Sequence, residues 1–113
     1  ASIQQALNYI HTHFNEPLTL QELSEIVHLN TSYFSSLFKQ SVGVNFLQYL
    51  TNYRMKEAKK LLLEHNYSIG EISIRVGYKT SKYFIQIFKE YEKITPNQYR
   101  KQKHSKDNGV YPK

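Results

Sequence analysis

Lys82, Ile85, Gln86 and Lys89 recur at helical spacing, so a helix would line them along one face. Fifty residues earlier the same register holds Ser32, Ser35, Ser36 and Lys39. The chemistry open to these two sets is recognition rather than bond-making. A carboxamide donates and accepts in one plane, an ammonium donates, a hydroxyl does either, and an aliphatic side chain meets a methyl group. Nothing in the chain suggests catalysis: no nucleophile stands near a base and no glycine-rich phosphate loop is present, so an enzyme is not expected. His11 and His13 are two apart and cannot share a helix face, and His28, His65 and His104 fall on separate elements, so neither a metal nor another cofactor is expected.

The two sets lie inside a longer repetition. Aligned without gaps, Tyr33–Leu50 and Tyr83–Arg100 are identical at six of eighteen positions, including the Tyr-Phe, Phe-Lys and Gln-Tyr pairs. One copy of about fifty residues would bury too little apolar surface to be secure alone, so two linked copies are expected to make one small domain or a tandem pair. Cysteine is absent, which excludes disulfides and thiolate-bound zinc and permits a reducing compartment. No apolar run approaches the roughly 20 residues that span a bilayer, and "ASIQQALNYI" has no signal-like core. The expectation is a cytoplasmic protein that does not engage a membrane. A first residue other than Met, set in a helix-like stretch, suggests a piece of a longer chain.

Charge is divided unequally. Residues 1–50 carry one Lys against three Glu, a balance of −2, whereas residues 51–113 carry fourteen basic against six acidic groups, a balance of +8. A field of that sign in the C-terminal half favours a polyanionic partner.

The elements that must position the two sets are helices. Ile3, Ala6, Leu7, Ile10 and Phe14 give an amphipathic helix over residues 2–14 that ends before Pro17. Thr19 with Glu22, and Ser68 with Glu71, read as reciprocal capping boxes opening two short helices, a better account of both glutamates than a catalytic pair. Tight turns follow at His28–Asn30 and at Gly77–Thr80, the second one residue longer, and Gly77 fits a positive φ. Asn30 and Thr80 then cap helices over about 31–42 and 81–92. In the first of these Phe34, Leu37, Phe38 and Ser41 form the inward stripe, and in the second Phe84, Ile87, Phe88 and Tyr91 do. Asn45 with Gln48 and Thr95 with Gln98 start two more helices, the first running to His65 and the second, with Pro96 at its first position, fading into a polar tail. Tyr33, Tyr49, Tyr53, Tyr83 and Tyr99 are expected to pack between helices, and Arg54 to bond structurally to a neighbouring one.

A short helix, a tight turn and a second helix, made twice, is the helix-turn-helix arrangement. At this point "EISIRVGYKTSKYFIQIFKEYEKITPNQYR" resembles the second unit and trailing signature of the AraC (arabinose-operon regulator) family of transcription factors. "LTLQELSEIVHLNTSYFSSLFKQSVGVNFLQYLTNYRMKEAKKLLLE" is similar to that family's first unit and linker. The resemblance, over about residues 2–101, implies an all-α, seven-helix module with two helix-turn-helix subdomains joined by a long linker helix. Its expected divisions are 1–44, the linker 45–65, 66–102, and a disordered basic tail at 103–113. It implies binding of double-stranded DNA for transcription regulation, the two recognition helices entering successive major-groove segments of a bipartite site. Carried across by position, Ser32, Ser35, Ser36, Lys82, Ile85 and Gln86 are the expected base readers, and Lys39, Lys79, Lys89 and Lys93 the expected phosphate contacts. RNA polymerase is the other expected partner, and an effector or dimerisation domain is expected upstream. The competing reading is a helical protein-interaction module gripping RNA polymerase or a sensor domain. Two features depart from the family pattern. Lys93 stands where Gly is usual, at a cost of roughly 1 kcal/mol if the turn is left-handed. The three serines stand where Arg or Gln is common, so the first unit is expected mainly to position.

Several lysines neutralising phosphates would release condensed counterions. Affinity for duplex DNA is therefore expected to fall by orders of magnitude between low and moderate ionic strength in an anisotropy titration, and a flat salt dependence would remove the electrostatic part of the reading.

Overall fold

The computed structural model describes residues 1–105. These form α1 (Ser2–His13), α2 (Leu20–Ile26), α3 (Thr31–Val42), α4 (Phe46–Glu64), α5 (Ile69–Arg75), α6 (Ser81–Glu92) and α7 (Pro96–Ser105), with no strand among the described residues. None of these helices is long and apolar enough to cross a membrane. They pack as two compact units, Ala1–Arg54 and the chain from Met55 onward, with residues of α4 in each. The expected tail begins too early at residue 103, because α7 continues to Ser105. Lys101, Gln102 and Lys103 are good helix formers, and the Lys103 ammonium lies 5.8 Å from the Tyr99 ring centroid. The rest of that tail lies outside the described residues.

The first unit closes around Ala6 and Ile10 of α1, Leu23 and Val27 at the end of α2, Phe34 and Phe38 of α3, and Phe46 and Leu50 of α4. Phe34 and Phe38 sit one turn apart with ring centroids at 5.9 Å, and Phe38 meets Tyr49 edge-on at 5.8 Å. The second unit repeats the device. Phe84 and Phe88 are 5.8 Å apart, Phe88 meets Tyr99 edge-on at 5.7 Å, and Met55, Ala58, Leu62, Ile72, Val76 and Pro96 are buried in the same unit. Ser24 and Ser73 are the buried polar residues, each turned onto its own helix at 2.7 Å, to the carbonyls of Gln21 and Gly70 respectively, so neither hydroxyl is left unsatisfied.

Local hydrogen bonds place the helix starts. Thr19 and Glu22 form the full reciprocal box, as do Thr95 and Gln98. Asn30, Asn45 and Thr80 each accept the amide three residues on. At Ser68 only half of the expected box forms. Its hydroxyl accepts the Glu71 amide, but the Glu71 carboxylate turns forward to Arg75 at 2.8 Å, since a guanidinium one turn along competes better than a backbone amide.

Two arginines fasten chain segments that no helix ladder satisfies. Arg54 donates to the carbonyls of Phe14 and Glu16 at 2.8 Å each, in the segment that leaves α1. Arg100 donates to the carbonyls of Leu62, His65 and Tyr67, where the chain leaves α4. Arg54 thus has the structural bond expected of it. Beside it, the Tyr49 hydroxyl lies 2.6 Å from His11 Nε2, and burial, with the neighbouring Tyr53 second, pushes the Tyr49 phenol above its ordinary pKa.

Each unit needs two left-handed residues, one after its short helix and one after its longer one. The first unit uses His28 (φ 60°) and Gly43 (φ 97°), the second Gly77 (φ 102°) and Lys93 (φ 71°). Lys93 therefore adopts the strained turn, and its ammonium folds back to donate to the Glu90 carbonyl at 3.2 Å. Relief of about 1–2 kcal/mol of strain exceeds the roughly 0.4–1 kcal/mol that glycine adds to unfolded-chain freedom. Lys93→Gly is expected to stabilise the chain by about 0.5–1 kcal/mol, and Gly43→Lys to destabilise it by a similar amount, both read from urea midpoints.

Candidate nucleic-acid interface

The two turns set how α3 and α6 leave the short helices. Leu29 and Tyr78 donate their amides to the carbonyls of Ser24 and Ser73, at 2.9 and 2.8 Å, so the chain reverses by the same hydrogen bond in both units. The extra residue of the second turn is accommodated between Gly77 and Thr80 without altering that bond. Burial of Phe34 with Phe38, and of Phe84 with Phe88, then fixes the rotation of each longer helix about its axis. What each helix leaves outside follows from that rotation.

Of the residues expected on α3, Ser32, Ser36 and Lys39 are exposed and Ser35 is only partly so, at the edge of the face. Of those expected on α6, Lys82, Gln86 and Lys89 are exposed, with Ile85 in the edge position of Ser35. Lys79 is exposed in the turn before α6, and Lys93 at its C-cap. The structure thus gathers the residues expected in each unit onto one helix face or its ends.

Three features depart from the sequence reading. Ser41, in the last turn of α3, is exposed rather than part of the inward stripe. Tyr33 and Tyr83 are 58% and 51% exposed and are not helix-packing residues. They stand in the first turn of α3 and α6, whereas Tyr49, Tyr53 and Tyr99 are partly buried among other rings. Gln40 and Glu90, one turn beyond Ser36 and Gln86, extend each exposed face and were legible from the same helical spacing.

The two faces offer different electrostatics. On and beside α6, Lys79, Lys82, Lys89 and Lys93 are exposed, and the nearby Glu92 is bound by Lys59 at 3.0 Å. On α3 the only charged residue is Lys39. The second face is therefore an ammonium-rich surface carrying the Gln86 carboxamide and the Glu90 carboxylate, and the first a hydroxyl-rich surface with a single ammonium and the Gln40 carboxamide. Either can bond to the edges of bases, and the second has the stronger attraction for phosphate.

A family model described as a helix-turn-helix domain matches residues 23–102. The HTH-type transcriptional regulator YtdP of Bacillus subtilis is 40% identical over 99 residues, which are 88% of this chain and 13% of that protein. Regulatory protein PocR of Salmonella typhimurium is 33% identical over 102 residues, 90% of this chain and 34% of PocR. The chain thus spans between about an eighth and a third of these relatives. Among solved structures, the C-terminal domain of AraT, a response regulator from Geobacillus stearothermophilus, superposes with a TM-score of 0.87 at 39% identity, covering 89% of this chain and 84% of that one.

Proposed function

The chain belongs to the AraC-type family of helix-turn-helix transcription regulators, whose function is DNA binding, and on that premise we propose how it reads its site. α3 and α6 are the recognition helices, each entering one major-groove segment of a bipartite, non-palindromic site in double-stranded DNA. Ser32, Ser35 and Ser36 face the bases of one segment, and Lys82, Ile85 and Gln86 those of the other. Lys39, Lys79, Lys89 and Lys93 meet phosphates, Lys93 by releasing the Glu90 carbonyl. The observation that carries this reading is that two units with the same buried frame present exposed faces of different chemistry, as two unlike half-sites require.

The whole protein is a cytoplasmic regulator, not an enzyme. It couples this module to an effector or dimerisation domain and works through RNA polymerase. The relatives' greater length supports the first point, and family membership the second.

Gln86 has the strongest reading chemistry, since a carboxamide can bond adenine bidentately. Gln86→Ala is expected to cost about 1–3 kcal/mol on a site selected from a random duplex pool and to relax preference at one or two base pairs. Lys89→Ala should weaken all duplexes evenly and lower the salt slope by about 1, and the three serines should matter less than Gln86. If the serine substitutions abolish selectivity while Gln86→Ala preserves it, the assignment of the stronger reader is wrong.

The bipartite reading has a separate check. Inserting 5 base pairs between the selected half-sites turns one major-groove face by about half a turn and should reduce binding to that of a lone half-site. Undiminished affinity for the inserted duplex would show that one segment suffices.

A further inference from the structure

Superposing the two units by sequence register separates what they share from what they do not. The three reading positions all differ: Ser32 against Lys82, Ser35 against Ile85, Ser36 against Gln86. Two exposed positions on the same helices are identical, Tyr33 with Tyr83 and Lys39 with Lys89. The identical residues bracket the divergent one, for Tyr33 and Lys39 lie three residues before and after Ser36, and Tyr83 and Lys89 three before and after Gln86. At about 100° per residue, each bracket residue lies about 60° around the helix from the central reader, one on either side.

A helix seated in a major groove has base edges ahead of it and a sugar–phosphate strand on each flank. Two half-sites of different sequence share the flanks and not the floor. Of the residues that differ, Ser32 with Lys82 and Ser36 with Gln86 fall on the floor side, while Ser35 and Ile85 lie about 100° from the central reader, past the lysine, and the residues that coincide fall on the flanks. Lysine on one flank is an expected phosphate contact. Tyrosine on the other is not explained by packing, since both rings are more than half exposed. Capping does not explain it either, because Asn30 and Thr80 accept only the backbone amides of Tyr33 and Tyr83, which any residue but proline supplies. Among the described residues neither phenol hydroxyl has a hydrogen-bond partner, in contrast to Tyr49, whose hydroxyl meets His11. The Tyr83 ring meets the buried Tyr78 edge-on at 5.6 Å and remains 51% exposed.

We infer that Tyr33 and Tyr83 are paired backbone clamps, each donating its phenol O–H to a phosphate oxygen on the strand opposite the one met by Lys39 or Lys89. The inference rests on the DNA-reading assignment of α3 and α6. Its signature differs from that of a lysine. A neutral donor displaces no counterion, so it adds affinity without adding to the salt slope, and a phosphate contact carries no sequence information.

The test is Tyr33→Phe, Tyr83→Phe and the double variant, titrated against the pool-selected duplex and a mixed-sequence duplex at several salt concentrations. Each substitution should weaken binding to both duplexes about tenfold. The selectivity ratio and the slope of log affinity against log salt should stay as in the wild type. Methylphosphonate replacement, one phosphate at a time, should reveal one position per half-site that weakens the wild type but not the matching Phe variant. That comparison is made within each protein, as the ratio of affinity for unmodified and modified duplex, so a general loss of affinity in a variant cancels. Unchanged affinity for both duplexes, a shifted base preference on reselection, or methylphosphonate effects identical in wild type and variants would each overturn the clamp. A wild-type chain that binds no duplex would overturn the DNA-reading assignment itself, which is a different result from an idle hydroxyl.

Discussion

Burial of two phenylalanines one turn apart is the constraint on which each unit depends. Phe34 with Phe38, and Phe84 with Phe88, are wholly removed from solvent. Each such ring contributes on the order of 2–3 kcal/mol by leaving water, far more than the tenths available from any exposed helix pair. A helix of 12 residues gripped by two buried rings cannot rotate about its axis without exposing one of them. The direction in which Ser36 or Gln86 points is therefore set from the opposite side of the helix. Side chains on the outer face can differ without disturbing the frame, as the two units show.

The frame is built twice with different parts. Both units fasten an irregular segment with a guanidinium, but Arg54 and Arg100 are not matched in the repeat: Leu50 stands opposite Arg100, and Arg54 is one turn further on. The two positions share a helix face, so either can carry the arginine to its carbonyls. Left-handed backbone shows the same freedom. Each unit has two such positions and places its glycine at a different one, His28 and Lys93 taking the remaining strain. What is preserved is the position of the constraint, while the residue meeting it varies.

The units divide the electrostatic work as well. Arg54 is committed to carbonyls, so Lys39 is the one cation of the first unit left on its exposed surface, while the second unit surrounds α6 with ammonium groups. The second unit therefore has the stronger long-range attraction for a polyanion, and the exposed face of α3 presents mainly hydroxyl groups.

The seven helices and the repeat were legible in the sequence because their determinants are local. A cap and the amide it accepts are three residues apart, an apolar stripe recurs within two turns, and Thr31–Val42 and Ser81–Glu92 fall where those signals place them. The outward faces of α3 and α6 were legible for the same reason, since the buried phenylalanine pair of each helix fixes what lies opposite it. Tertiary structure decided what depended on contacts from elsewhere in the chain. Tyr33 and Tyr49 are the same residue type on similar amphipathic helices, yet one stands in solvent and the other beneath His11, because only the packing of α1 and α4 determines which ring is covered. Glu71 was assigned to its cap by a pattern that also fitted Glu22, and Arg75 took it instead. Arg54 and Arg100 each find their carbonyls 33–40 residues away, a separation at which no local pattern carries information and only the closed fold brings donor and acceptor together.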